Sequence, residues 1–104
     1  MKKHIVITGK VQGVGFRYWL YQAAKQRNID GWVRNKISGE VEALLIGNDV
    51  QVNSIIKLCK KGPSSSEVTR VNVKDYEEEC LNKTFEIVNT WKIITHKAFF
   101  LFYW

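Results

Sequence analysis

The chain has 104 residues, of which 45% are hydrophobic and 25% charged, and its formal net charge is +6. That length suits one domain able to bury a core without disulfides or a structural metal, and the composition excludes a disordered chain. No apolar run approaches the roughly 18 residues that cross a bilayer, and no secretory h-region precedes the first strand-like segment, so a cytoplasmic location is expected.

Taken in chain order, Ile5, Ile7, Gly9 and Val11 alternate with Val6, Thr8 and Lys10, the period-two pattern of a strand. Glycines follow at 13 and 15. Phe16, Leu20, Ala23, Ala24 and Arg27 then fall at helical spacing, with the arginine stem able to lie along apolar surface. Asn28 suits the end of this helix, and Lys25 and Arg27 complement its dipole. Residues 31–37 predict a second strand, Ser38-Gly39 a turn and residues 40–46 a third strand, which together make a hairpin. Gly47-Asn48-Asp49 supplies cap residues for a second helix, whose inner face is Val52, Ile55, Ile56 and Cys59. Gly62-Pro63-Ser64-Ser65-Ser66 stops it. Thr69, Val71, Val73 and Asp75 alternate with Arg70, Asn72 and Lys74 in a fourth strand, and Phe85 and Ile87, with Asn89 as a candidate extension, mark a short last one.

Two split β-α-β units in this order predict a ferredoxin-like α/β (α+β) sandwich, βαββαβ. The sheet is expected to be mainly antiparallel, with both helices on one face and a short extra C-terminal strand. Residues 1–90 form the domain, and residues 91–104 are an atypical aromatic-rich tail.

The positive charge attracts phosphorylated metabolites, nucleic acid or acidic lipid, and does not choose among them. No basic run is longer than two residues, as at Lys60-Lys61, so there is no polybasic arm. The segment most informative about chemistry is Gly9-Lys10-Val11-Gln12-Gly13-Val14-Gly15-Phe16-Arg17, between the first strand and the first helix. Glycines let backbone N–H groups approach an anion, and successive N–H groups form a nest for phosphate oxygens. The helix N-terminus points at the same place. Arg17, in the first helical turn, is placed to grip two phosphate oxygens. The loop lacks the Gly-Lys-Ser/Thr of a P-loop, and its glycines run G-x-x-x-G-x-G rather than G-x-G-x-x-G. Composition alone leaves two readings, a phosphate cradle or a tight turn that needs glycine sterically.

These residues carry a resemblance to the acylphosphatases. The first signature of that family is complete from Gly9 to Arg17. The second is present as Gly31-Trp32-Val33-Arg34-Asn35 followed by Gly39-Glu40-Val41. The exit loop at residues 62–68 and the strand at Phe85-Glu86-Ile87 also match, so the resemblance covers residues 4–88. It implies hydrolysis of a small-molecule acyl phosphate to a carboxylate and orthophosphate. It also implies phosphate binding by Val11, Gln12, Gly13, Val14, Gly15, Phe16 and Arg17, with Arg17 and Asn35 as the catalytic residues and Asn35 positioning water. No metal and no cofactor are implied.

The remaining residues have plainer readings. Cys59 and Cys80 form no C-x-x-C and are expected as reduced thiols, and with His4 and His96 as the only histidines no zinc site is expected. Phe16, Leu20 and Trp32 read as core; Tyr18, Trp19 and Tyr21 read as partly buried, with stacking on a ligand as the alternative. His4 and His96 read as surface residues and Glu77-Glu78-Glu79 as a solvated acidic loop. A non-catalytic phosphate- or RNA-binding module is the competing class, since such sheets stack bases on exposed aromatics. Trp32 and Phe85 read as core, so no nucleic-acid partner is expected. A carbamoyl-phosphate-handling domain, as in large hydrogenase-maturation proteins, is a third reading. A monomer is expected, with a tail-mediated dimer as the alternative. The tail itself keeps three readings: an added strand or dimer contact, an extension without fixed structure, or a contact with a membrane surface or partner. Nothing in the sequence identifies what reads the acyl group.

Overall fold

The computed structural model describes residues 1–79 and 83–91. The readings for Cys80, for His96 and for the tail beyond Trp91 therefore lie outside the described residues. In chain order the elements are β1 (Lys2–Lys10), α1 (Phe16–Gln26), β2 (Asp30–Asn35), β3 (Val41–Ile46), α2 (Asp49–Cys59), β4 (Glu67–Asp75) and β5 (Phe85–Ile87). The five strands form one sheet in the order β4-β1-β3-β2-β5. β1 pairs antiparallel with β3 and β4, and β2 pairs antiparallel with β3. β5 runs parallel to β2, so the sheet is mixed.

One apolar cluster joins Ile5, Ile7, Val33, Val41, Ala43 and Leu45 of the sheet to Phe16, Leu20, Ala23 and Ala24 of α1 and Val52, Ile55 and Cys59 of α2. Both helices therefore cover the same sheet face, as the ferredoxin-like reading requires. The buried face of α1 is the one its 3.6-residue period marks out. Asn28 closes that helix in the left-handed conformation, at φ 53°. Asn48 caps α2, its side-chain oxygen accepting from the Gln51 N–H at 2.9 Å.

Several boundaries differ from the sequence reading: β2 starts at Asp30, β3 starts at Val41 and β5 ends at Ile87, short of Asn89, and three further differences have a clear cause in the pairing. β1 starts at Lys2, because Lys2, Lys3 and His4 pair with Ile46, Leu45 and Leu44 of β3. β2 ends at Asn35, because the hairpin closes through the Lys36 N–H donating to the Glu40 carbonyl at 2.8 Å. Ile37 thus belongs to the turn and is exposed. β4 starts at Glu67, where backbone pairing to Lys10 extends it past the alternating residues.

The sheet face away from the helices carries a second cluster of Trp32, Leu44 and Val88, with Ile46 and Tyr76 against it. Beside it Glu42, 9% exposed, bonds His4 Nε2 at 2.6 Å and Arg34 Nε at 2.7 Å. Burial by itself raises a carboxyl pKa. Here the hydrogen bonds and charges of His4 and Arg34 outweigh it, and Glu42 is held down at about 2. His4 is accordingly not a free surface histidine: extending β1 back to Lys2 brings it beside Glu42. Among the described residues no helix is long and apolar enough to cross a membrane.

Candidate active site

β1 delivers the chain to Lys10, and α1 begins at Phe16. Between them Val11 is buried and Val14 packs against the core, so both ends of the loop are anchored inward. Gly13 and Gly15 take φ of 74° and 79°, a conformation that side chains other than glycine adopt at a cost. Gly15 is the N-cap of α1 and supplies no capping side chain, and no acidic residue stands in the first turn. Among the described residues no protein acceptor takes the N–H of Gly13, Val14 or Gly15. Unpaired N–H groups, the helix dipole and the lack of a competing carboxylate suit this end of α1 to an anion.

Arg17 sits in the first turn of α1, exposed, and no carboxylate pairs with it among the described residues. Asn35 is the last residue of β2 and follows Val33 by two, so it projects from the helix-covered face. Its Oδ1 is buried and has no hydrogen-bond partner among the described residues. An unmet buried acceptor costs about 1–3 kcal/mol, which a donor such as a water molecule relieves.

These groups meet in a cleft of about 230 Å³ lined by Val11, Gly13, Gly15, Phe16, Arg17, Tyr18, Asn35 and Ile87. That is below the ~300–1,000 Å³ of drug-sized sites and suits a small molecule. Of the residues expected to bind phosphate, Val11, Gly13, Gly15, Phe16 and Arg17 line the cleft, and Gln12 and Val14 do not. The Gln12 side chain turns to the β2–β3 hairpin, where Nε2 donates to the carbonyls of Lys36 at 2.7 Å and Glu40 at 2.8 Å. The Val14 carbonyl accepts from Ser65 Oγ at 3.2 Å. Both residues hold the loop in place, and only their backbone N–H groups remain to face a ligand.

The charged groups of the hairpin are engaged elsewhere. Glu40 bonds Ser38 and Thr8 and pairs with Lys36 at 3.7 Å. The Ser38 hydrogen bond outweighs desolvation, and with Thr8 and Lys36 it lowers the Glu40 pKa. Among the described residues no three His, Cys, Asp or Glu side chains gather to hold a metal ion.

Two cleft residues are not among the site residues expected from the sequence, although stacking on a ligand is the alternative reading for Tyr18. Tyr18, expected to be partly buried, is 58% exposed because it lies off the inner stripe of α1, at the cleft mouth. Ile87 reaches the cleft through the parallel pairing of β5 with β2, which sets it opposite Val33. Periodicity within a strand carries no signal of which strand lies next to it. Phe16, Leu20 and Trp32 are buried as expected, Trp19 and Tyr21 are half-buried, and Phe85 is buried against Tyr21.

The sequence model of the acylphosphatase family matches residues 3–87. A protein named acylphosphatase from Rhodopseudomonas palustris strain BisB5 is 39% identical over 93 residues, covering 85% of this chain and 94% of that one. The crystal structure of acylphosphatase from Bacillus subtilis superposes with a TM-score of 0.81 at 35% identity, covering 85% of this chain and 98% of that one. The HypF of T. kodakarensis also contains a similar segment, with a TM-score of 0.75 at 30% identity, but this chain spans only 12% of it.

Proposed function

The chain belongs to the acylphosphatase family and hydrolyses acyl phosphates to a carboxylate and orthophosphate, and from that premise we propose how its residues divide the work. The N–H groups from Val11 to Phe16 and the Arg17 guanidinium bind the phosphoryl oxygens and spread their charge. Asn35 orients the attacking water through its amide, a carbonyl acceptor with an NH₂ donor and no strong base. The water oxygen bonds to phosphorus as the bond from phosphorus to the acyl oxygen breaks. The carboxylate leaves with that electron pair and needs no strong general acid. The water proton passes to a phosphoryl oxygen. Catalysis is then a matter of positioning and electrostatic stabilisation.

The observation that carries this reading is the meeting of three separated groups in one small cleft: the glycine loop, Arg17 at the start of α1 and Asn35 at the end of β2. Arg17 supplies a fixed charge and α1 an aligned dipole, so full activity is expected in the presence of a chelator. The same reading makes the enzyme cytoplasmic, monomeric and free of nucleic acid. The buried Cys59 thiol suits a reducing compartment, and the charged residues Glu67, Arg70, Lys74 and Asp75 along edge strand β4 discourage strand pairing between copies. Trp32 and Phe85 are buried and offer no stacking platform.

The test is benzoyl phosphate hydrolysis in chelator by the full chain, Arg17→Gln and Asn35→Ala. Asn35→Ala is expected to lose about 10²–10³-fold in kcat. Arg17→Gln is expected to lose inhibition by inorganic phosphate as well as turnover. Wild-type kinetics in either variant would remove that residue from the mechanism.

A further inference from the structure

Beside the polar groups of Arg17, Asn35 and the glycine loop, the cleft has two exposed, largely apolar lining side chains, Tyr18 of α1 and Ile87 of β5, 58% and 42% exposed. Single exposed apolar residues are ordinary. These two stand on different elements and line the same cleft as Arg17 and Asn35. The Tyr18 ring is also held in place. It stacks on Tyr21 with centroids 6.2 Å apart and planes 17° apart, and its hydroxyl accepts from Gln22 Nε2 at 3.1 Å. Tyr21 in turn packs on Phe85 of β5, 6.5 Å between centroids. Phe85 and Ile87 are alternate residues of one strand and share a face. Tyr18 and the strand that carries Ile87 are therefore linked through Tyr21 and Phe85. Apart from Arg17, which the phosphate takes, no charged side chain lines the cleft. An acyl group bearing charge finds no partner at the mouth, and an apolar one covers surface already exposed to water.

We propose that Tyr18 and Ile87 form the acyl subsite, so that this enzyme selects acyl phosphates whose acyl group is apolar and larger than acetyl. The inference rests on the site reading above and adds the part of the substrate that the loop does not touch. Apolar contact with these side chains lowers the barrier only for acyl groups long enough to reach them. The acetyl methyl, one carbon beyond the carbonyl, gains least.

The experiment compares kcat/KM for benzoyl phosphate and acetyl phosphate in the full chain, Tyr18→Ala, Tyr18→Phe and Ile87→Ser, with inhibition by inorganic phosphate as a control. Tyr18→Ala is expected to lower the benzoyl-to-acetyl ratio about 3–10-fold, the scale of one aromatic contact. Ile87→Ser lowers it in the same direction, and Tyr18→Phe keeps the wild-type ratio. Phosphate inhibition stays unchanged throughout. A ratio unmoved in both Tyr18→Ala and Ile87→Ser overturns the subsite, as does an equal loss on both substrates or an altered phosphate inhibition. Arg17→Gln and Asn35→Ala in the same assay keep the two failures apart. If those variants lose activity and the ratio does not move, the acyl subsite alone is wrong; if they keep activity, the site reading itself is wrong.

Discussion

Gln12 offers the sharpest test of how the site is held together. Its side-chain amide is the direct link between the glycine loop and the hairpin that follows Asn35, through bonds of 2.7 Å and 2.8 Å to the Lys36 and Glu40 carbonyls. A typical intramolecular hydrogen bond contributes about 0.5–1.5 kcal/mol net, so Gln12→Ala should cost about 1–3 kcal/mol. With an m-value of roughly 1–3 kcal/mol/M in urea, that lowers the unfolding midpoint by on the order of 1 M. Gln12→Glu separates hydrogen bonding from packing, because it keeps the shape and replaces the donor with an acceptor. A carboxylate facing two carbonyls is disfavoured, so its folded-state pKa is raised. This variant therefore loses further stability as pH rises above about 4.3 toward that raised value, whereas Gln12→Ala does not. Loosening the loop relative to Asn35 should also lower kcat for benzoyl phosphate by about 10–100-fold, since a misplacement near 1 Å costs up to about that much. The assay is urea unfolding followed by tryptophan fluorescence, with steady-state kinetics on the same samples. A Gln12→Ala protein with the wild-type midpoint and wild-type kcat would refute the coupling.

Two further outcomes follow from the pKa shifts. Glu42 is held at about 2 against an ordinary 4.5, so its stabilising contribution is present above pH 4.5 and is lost as pH falls toward 2. That contribution is roughly 3 kcal/mol; Glu42→Gln should flatten the acid limb of the stability profile by that amount, and an unchanged limb would refute the assignment. Burial pushes the Cys59 thiol up to about 12. In a Cys80→Ser background it should resist a thiol reagent at pH 8 until denaturant is added, and rapid labelling of the native protein would contradict its burial.

The local parts of this fold are legible in the sequence. Phe16, Leu20, Ala23 and Ala24 are buried together because helical periodicity is a property of one segment, and Asn48 caps α2 for the same local reason. Pairings between distant segments are not legible in this way. The β2–β5 contact carries Ile87 to the cleft, and nothing in Phe85-Glu86-Ile87 names its neighbour. His4 reads as a surface residue until β1 extends back to Lys2 and sets it beside Glu42. Arg17 and Asn35 are read together only because two signatures stand in register; neither residue type at its position points to the other. Tyr18 and Tyr21 have the same chemistry, and their different exposure comes from their places around α1, since Tyr21 packs on Phe85 of β5 and Tyr18 lies off the inner stripe.

The position of β1 inside the sheet, between β4 and β3, has a consequence for how the enzyme is made. β2 and β3 meet through a tight hairpin, but β1 meets β3 only across an intervening helix and strand, and β4 only across most of the chain. Closing such long loops costs chain entropy before any contact repays it, and this slows folding relative to hairpin-rich or helical proteins. The glycine loop leaves the end of β1, while Asn35 ends β2 and reaches β1 through β3. On the proposed site, a chain with both helices and the hairpin already formed is therefore expected to be inactive. Hydrolysis is expected only after the long-range closure of β1 on β3, so the recovery of activity on refolding would time the topological step.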